Sequence, residues 1–388
     1  MDTKKYRIII LGAGFSQAAG LPLASELWAE IRKRARSLTG RARKFQEDLE
    51  AYLEFRRRCD GVCLTEDQVD FEDFMRVLDI EHFLALRGSD TWSDDGNEAT
   101  IVVKWLLGQV LAERTPSPEH VPELYLDFAR QLQPDDHVLT FNYDVLLERA
   151  LDVVGKPYRL FPYRYSELLE DGGGIADTSG EEVVVLKLHG SIDWFDRRQF
   201  AGMQNAWRCR GITLDPTHRI FNHMGELSVT KLDDGPRHPQ DLMAHMYRVG
   251  NIRRLYEQGI GLMCAPWLLA PSTIKIVYAE RLRDFWYGLA RGGFLNYGMA
   301  IIGYSLPPQD EYARQAIYTL ATNYQASYGW EADADGRRKS PLVIVDQRPD
   351  EGGRQQCRER YRFVDWGRAR LLTEGFNNEA INAIFDSV

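Results

Sequence analysis

An α/β protein on an open, mainly parallel sheet is the fold class this sequence predicts, with a helical insertion and a second, smaller insertion interrupting it. Two observations carry that expectation. Five short runs, Arg7–Leu11, His137–Phe141, Val183–Leu188, Met299–Ile302 and Pro341–Val345, are apolar with few breaks. Strands covered on both faces have that pattern, whereas half-exposed strands alternate. Each run is then followed by a polar or glycine-bearing turn: Gly12-Ala13-Gly14, Asn142-Tyr143-Asp144, His189-Gly190-Ser191, Gly303-Tyr304-Ser305 and Asp346-Gln347. Ligands of open α/β sheets sit beyond the carboxyl ends of the strands, so five such turns form one constellation.

The 388 residues exceed a typical domain of roughly 100–200, and two or three folding units are expected. A hydrophobic content of 44% and an aromatic content of 11% suit a globular protein with a substantial core. The net charge of -9 argues against direct nucleic-acid binding. Positive charge is concentrated between Ile31 and Arg58, where ten Lys/Arg face four Asp/Glu. That segment is read either as a docking surface for an acidic partner or as a solvated helix face. Five cysteines, Cys59, Cys63, Cys209, Cys264 and Cys357, make an odd number in a long chain, so a reducing compartment, the cytoplasm, is expected. The start of the chain imitates a secretion signal, with Lys4, Lys5 and Arg7 ahead of Ile8-Ile9-Ile10-Leu11. The apolar run stops at Gly12, however, and a strand followed by a glycine turn accounts for it better. No apolar run approaches the ~20 residues of a membrane span, and the longest candidate, Gly259–Ala270, contains Pro266.

The strands are unevenly spaced. Residues 35–135 read as a helical insertion: Asp70–Leu86 places Phe71, Phe74, Leu78 and Phe83 near one helical face, and Thr100–Leu111 is a second helix. Residues 192–295 form a second insertion of unassigned structure. The glycines of Asp171-Gly172-Gly173-Gly174 predict a mobile loop running to Glu182. The sheet domain is therefore discontinuous, over 1–34, 136–191 and 296–388.

Four motifs carry the chemistry, each with a plainer alternative. Gly12-Ala13-Gly14-Phe15-Ser16, followed by Gly20-Leu21-Pro22, is a glycine loop that lets backbone approach a pyrophosphate at a helix N-terminus, as in Rossmann-like sheets. Gln17 stands where the full fingerprint has its third glycine, and an ordinary strand-to-helix turn is the alternative. Asn142 in Leu139-Thr140-Phe141-Asn142-Tyr143-Asp144 is either a ligand-facing amide or a helix cap. His189 in Lys187-Leu188-His189-Gly190-Ser191 is either an acid–base group or a structural histidine. Gly303-Tyr304-Ser305-Leu306-Pro307-Pro308-Gln309-Asp310 is either a ligand-contacting turn or a turn closing on a helix cap at Asp310.

In combination these residues resemble the NAD site of the sirtuin family, in the order glycine loop, Asn-x-Asp, His-Gly, Gly-x-Ser and polar strand end. The resemblance covers the sheet core and neither insertion. It implies that Gly12, Ala13, Gly14 and Ser16 cradle the phosphates. Asn142 and Asp144 would hold the nicotinamide ribose and a water, and His189 would be the general base. Gly303 and Ser305 would contact the dinucleotide further along, and Asp346 would meet the adenosine ribose.

Departures from the family matter equally. Sirtuin deacylases follow the glycine loop with Pro-Asp-Phe-Arg, whereas here Pro22 precedes Leu23-Ala24-Ser25. Their structural zinc module of paired cysteines has no counterpart between His189 and Gly303, where only the widely separated Cys209 and Cys264 occur. No zinc or other metal is therefore expected. What remains is similar to the sirtuin-like effectors of bacterial anti-phage systems, through Phe71-Glu72-Asp73-Phe74 and Gly303-Tyr304-Ser305-Leu306-Pro307. That resemblance implies hydrolysis of NAD, as substrate, to nicotinamide and ADP-ribose. It also implies a homo-oligomer, with a HerA-type hexameric ATPase as the expected partner. Protein deacylation or ADP-ribosyl transfer is the alternative activity, and a non-catalytic NAD-sensing or scaffold subunit is a third.

Overall fold

The computed structural model describes residues 6–86, 96–170, 173–262, 264–287, 289, 292–331 and 338–385. Its centre is a seven-stranded sheet formed by β1 (Arg7–Leu11), β2 (His137–Thr140), β3 (Tyr158–Arg159), β6 (Val183–Lys187), β10 (Gly298–Ile302), β11 (Leu342–Val345) and β12 (Ala369–Leu372), in the order β12-β11-β10-β1-β2-β6-β3. Every pairing in it is parallel. β1, β6 and β10 are buried at all five positions, which is why they read as unbroken apolar runs. The expected strand ends Phe141 and Leu188 fall one residue past the assigned strands, yet both continue the ladder: Phe141 N–H donates to Leu11 O at 3.0 Å and Leu188 N–H to Thr140 O at 2.9 Å. The two strands without a sequence signal lie at the edges. β3 has two residues, and β12 is half-exposed around Arg370.

From β1 the chain first builds β2, β6 and β3 on one side, then returns to build β10, β11 and β12 on the other. The order therefore reverses at β1, and the crevice outside the carboxyl ends of β1 and β10 is where such a sheet binds its ligand.

The helices follow from the same patterning. After α1 (Ala13–Gln17) come α2 (Ala24–Ala35), α3 (Lys44–Cys59), α4 (Phe71–Phe83), α5 (Glu98–Arg114) and α6 (Glu123–Gln131). Asn97 caps α5 by accepting from Thr100 N–H at 2.9 Å, and Asp70 caps α4 by accepting from Asp73 N–H at 2.9 Å. α5 is buried on almost every face, Trp105 and Leu107 included, as a helix hydrophobic all round must be. It packs against α2, α3 and α4, and against α10 (Ile252–Glu257). α4 buries Phe71, Phe74 and Leu78 as expected, but Phe83 is 60% exposed, because the helix ends there and its last turn leaves the core.

The remaining helices are α7 (Leu146–Val154), α8 (Arg198–Cys209), α9 (Met224–Leu227), α11 (Arg283–Trp286), α12 (Glu311–Ala326), α13 (Glu351–Arg360) and α14 (Asn378–Phe385). The segment left unassigned from sequence contains a three-stranded antiparallel sheet, β7 (Trp194–Asp196), β9 (Met246–Val249) and β8 (Val229–Lys231), in that order.

Two segments singled out in the sequence take definite local structure. Asp171 and Gly172 of the glycine-rich loop lie outside the described residues, but the described part is an antiparallel hairpin. Its strands are β4 (Tyr165–Leu168) and β5 (Gly174–Ala176). Arg164 pins it by donating to Glu182 at 2.9 Å and Asp177 at 3.3 Å. The basic segment is largely neutralised within the chain: Arg32 pairs with Asp67, Arg34 with Glu113, Arg36 with Glu66, Arg56 with Asp60 and Asp73, and Arg57 and Arg58 with Glu54. Among the described residues no helix is long and apolar enough to cross a membrane.

Candidate functional site

A cleft of about 940 Å³ opens above the carboxyl ends of β1, β2, β10 and β11. Nine of the ten expected site residues line it: Ala13, Gly14, Ser16, Asn142, Asp144, His189, Gly303, Ser305 and Asp346. The tenth, Gly12, lies beside them, with its carbonyl accepting from Asn142 Nδ2 at 2.9 Å.

The neighbouring turn requires these glycines before any ligand is considered. The β1 and β10 turns touch: Gly14 N–H donates to Gly303 O at 2.9 Å. A Cβ at Gly12 would lie 2.6 Å from Gly303 O, and one at Gly14 would lie 2.7 Å from Gly303 Cα. Gly303 itself has φ +63, a conformation natural to glycine. The neighbouring turn therefore excludes side chains here, whatever sits above. The helix that follows is also short, since α1 has five residues, so the expected helix-dipole contribution is limited to one turn.

Asn142 is not a helix cap. Its Nδ2 donates to Gly12 O and, at 3.2 Å, to Ser16 Oγ, which ties the β2 turn to the glycine loop. Both amide hydrogens are thereby engaged, and Oδ1 is the acceptor the side chain can offer. Asp144 closes the turn ahead of α7, its Oδ1 accepting from Leu146 N–H at 3.0 Å, while Val145 is the N-cap residue and makes no side-chain capping bond. Beneath this turn the buried Lys187 donates to Asp144 O at 2.5 Å and pairs with buried Glu148 at 2.8 Å. Burial pushes the Glu148 carboxyl up, and Lys187 opposes that shift.

His189 is 4% exposed, with its Nε2 2.8 Å from Tyr312 Oη. Phe141 packs edge-on at 5.0 Å between ring centroids, and Phe141 in turn stacks on Tyr304 at 4.5 Å. Burial first, and then the positive charge of Lys275, lower the His189 pKa from the expected ~6.5 to about 3. The imidazole is therefore neutral at physiological pH, and it is a good acceptor but a weak base.

The sequence reading missed a group of charged residues beside it. Lys275, at the start of a 3-10 turn over Lys275–Leu282, forms a buried ion pair with Asp310. Asp310 also accepts from Tyr304 Oη at 3.1 Å. Its carboxylate thus serves this network, and as N-cap of α12 it makes no side-chain capping bond. Burial alone would raise the Asp310 pKa, but His189 and Lys275 outweigh it and hold the group low. Glu72, in the first turn of α4, reaches the same cleft.

At the far end Asp346 is already engaged: Oδ2 accepts from Arg348 Nε at 2.9 Å and Oδ1 from Gln347 N–H at 2.9 Å. Arg348 and Glu374 line the cleft there with it. Ser305 lines the wall, and its carbonyl accepts from Arg360 at 2.9 Å.

All five cysteines are free thiols. Among the described residues no group of three or more His, Cys, Asp or Glu side chains is placed to hold a metal ion.

No curated protein matches the chain. Among solved structures it is similar to one addressing the structural basis of sirtuin substrate affinity (14% identity, covering 98% of this chain and 93% of that one, TM-score 0.30). It is also similar to a mutant Sir2 homologue in complex with 2'-O-acetyl ADP ribose (14% identity, 97% and 89% covered, TM-score 0.34). A third is Sir2Tm bound to a propionylated peptide (13% identity, 97% and 90% covered, TM-score 0.29). At those scores the likenesses decide nothing about activity, and the Rossmann-like fold rests on the strand order above. The segment carrying both Asn142 and His189, residues 136–203, matches the family model described as a SIR2-like domain.

Proposed function

We propose that the chain is an NAD glycohydrolase, cleaving NAD to nicotinamide and ADP-ribose. The observation that carries this reading is the convergence of Asn142 and His189, from adjacent strands, on one cleft with the glycine loop and the Gly303 turn. The SIR2-like match over 136–203 supports it. Nicotinamide leaves as a neutral molecule, so the bond from ribose C1' to the pyridinium nitrogen needs little acid assistance. Its electron pair goes to the ring, and a water oxygen replaces it at C1'. The protein has to hold the dinucleotide, exclude bulk water and position one nucleophile. Asn142 Oδ1, fixed by the two bonds its Nδ2 makes, is the acceptor assigned to the water or a ribose hydroxyl. Neutral His189 is assigned to a ribose hydroxyl, which would take the place of Tyr312 Oη at Nε2. Incubating the purified protein with NAD and separating the products tests the reading directly. Release of nicotinamide and ADP-ribose in equal amounts is expected, and intact NAD after prolonged incubation refutes it.

The wider setting we propose is NAD depletion in anti-phage defence, in the cytoplasm, by a homo-oligomer under the control of a ring-shaped ATPase of the HerA type. A restrained resting state is what a cell needs of such an enzyme. Because the basic segment pairs mostly within the chain, its support for docking is weaker than the sequence alone suggested, and the proposal rests instead on the family resemblance. Light scattering tests the oligomer: a mass of 44.6 kDa in solution would refute it.

A further inference from the structure

The proposed hydrolysis releases a proton from the attacking water, and the mechanism above gives it no efficient acceptor. Neutral His189 has its Nε2 engaged by Tyr312. A base with a pKa depressed to about 3 takes a proton poorly near neutral pH. The cleft holds a second candidate. Glu72 lines the wall from the first turn of α4, and its Oε2 is shut from solvent without a hydrogen-bond partner among the described residues. A buried carboxylate oxygen left without a partner costs stability; other such atoms occur in this chain, Asp193 Oδ1 among them, but among the described residues Glu72 is the carboxylate of that kind that also lines the cleft.

We infer that Glu72 is a further catalytic residue, the general base that accepts the proton of the attacking water. The step balances. The C1'–nitrogen bond breaks with its electron pair moving to nicotinamide, the water oxygen bonds to C1', one water proton passes to the Glu72 carboxylate, and from there it is lost to solvent. The inference rests on the NAD glycohydrolase reading. Placement supports it independently of that chemistry. Glu72 shares the cleft wall with Tyr143, His189, Lys275 and Asp310, and its charge acts on Tyr312. Tyr312 is the residue bonded to His189, so the carboxylate lies at the His189 end of the cleft. The titratable groups that act on it or that it acts on are Lys275 from the Lys275–Leu282 turn, Asp310 from the β10 turn, Tyr143 from the β2 turn, Tyr312 from α12 and Asp70 from its own helix cap. Burial raises its pKa and Lys275 opposes the rise, which moves the carboxylate toward the range in which a base works at physiological pH. The assignment also gives the helical segment ahead of β2 a direct part in the chemistry, which the sheet motifs alone do not.

The test is Glu72→Gln, which keeps the shape and removes the basicity, with Glu72→Asp as a second variant that keeps the charge. The readouts are kcat, KM and the dependence of kcat on pH. Expected are a fall in kcat of at least about 100-fold for Glu72→Gln, a KM within about threefold of wild type, and loss of the acid limb of the pH profile. Glu72→Asp should keep that limb at reduced rate. A purely structural role would leave the shape of the profile unchanged. Glu72→Gln with wild-type kcat or an unchanged acid limb overturns this inference alone. A wild-type protein that binds NAD but releases no nicotinamide overturns the glycohydrolase reading, and this inference with it.

Discussion

The contact between the β1 and β10 turns can be taken apart with three alanines, because conformation and space are separable there. Gly20 has φ +85 with nothing near a prospective Cβ, so Gly20→Ala meets only the conformational penalty, roughly 1–2 kcal/mol. Gly14 has no left-handed φ, but its Cβ would fall 2.7 Å from Gly303 Cα, so Gly14→Ala meets only overlap, roughly 1–3 kcal/mol. Gly303 carries both burdens, with φ +63 and a Cβ that would lie 2.3 Å from Phe15 N. Gly303→Ala should therefore cost roughly 2–5 kcal/mol, a large part of a stability of order 5–15 kcal/mol. Urea unfolding followed by tryptophan fluorescence measures the three losses. Calorimetry with NAD adds a second axis: Gly14→Ala and Gly303→Ala shift the turn carrying Ser305 and Asp310 and should weaken binding at least about tenfold, or roughly 1.4 kcal/mol, while Gly20→Ala leaves it unchanged. If Gly303→Ala is no more costly than Gly20→Ala, or binds NAD as wild type does, the two turns are not the interlocked unit described here.

Further predictions concern the floor and walls of the cleft. Asn142→Ala should cut NAD turnover by about 100-fold, the scale of a misplaced reactant, and His189→Ala by roughly 10- to 100-fold, the range of a hydrogen bond to a group gaining charge; a folded variant with wild-type turnover removes that residue from the mechanism. Tyr312→Phe deletes the bond to His189 Nε2 and should lower kcat by about 2- to 13-fold, equivalent to about 0.5–1.5 kcal/mol, with KM little changed; an unchanged kcat shows that the ring needs no such anchor. His189 is held at about 3 in the folded protein against ~6.5 unfolded. Below about pH 6.5 the unfolded chain gains a proton that the folded chain refuses, so this group's contribution is complete above that pH and is lost as pH falls toward 3. His189→Gln should therefore lose less stability than wild type between about pH 7.5 and about pH 5, and equal losses would contradict the burial argument. Lys187→Met strands the buried Glu148 and should cost roughly 3–5 kcal/mol, most of it recovered by adding Glu148→Leu; a loss under about 1 kcal/mol for the single variant would show that the pair is not isolated from water.

The parts of this molecule that could be read from sequence are those with one dominant physical cause. β1, β2, β6, β10 and β11 are covered on both faces, which imposes continuous apolar runs, and the polar turns after them stand out by contrast. β3 is too short and β12 too exposed to leave such a signature. The site residues at strand ends were legible because strand order brings them together. Glu72, Lys275 and Tyr312 were not, since they come from a helix, a 3-10 turn and a second helix far apart in the chain, and only the tertiary fold places them beside His189. Glu72 did sit in a noticed motif, Phe71-Glu72-Asp73-Phe74, but that motif carried only a family resemblance and gave Glu72 no role of its own. Asp310 was visible as a helix cap, and only the position of Lys275 and Tyr304 diverts its carboxylate to another use. The two loop glycines were singled out for the approach of backbone to a phosphate, and the structure adds a second need for them. Close approach is what they provide, and the approaching group is the backbone of the neighbouring turn.

The position of β1 has a consequence for how the chain is made. It is the central strand of the sheet, yet one of its two neighbours is β10, where Arg7 aligns with Gly298. On the ribosome the first strand therefore emerges long before the partner for that edge exists. Until then it presents unpaired backbone groups flanked by isoleucines, the kind of edge that recruits other chains. Contacts this distant in sequence also form slowly. The floor of the cleft, where Gly14 meets Gly303, cannot close before residue 303 has been synthesised. A nascent chain that still lacks β10 is thus both at its most prone to aggregate and unable to assemble the site, so whatever chemistry the cleft performs must wait for that strand.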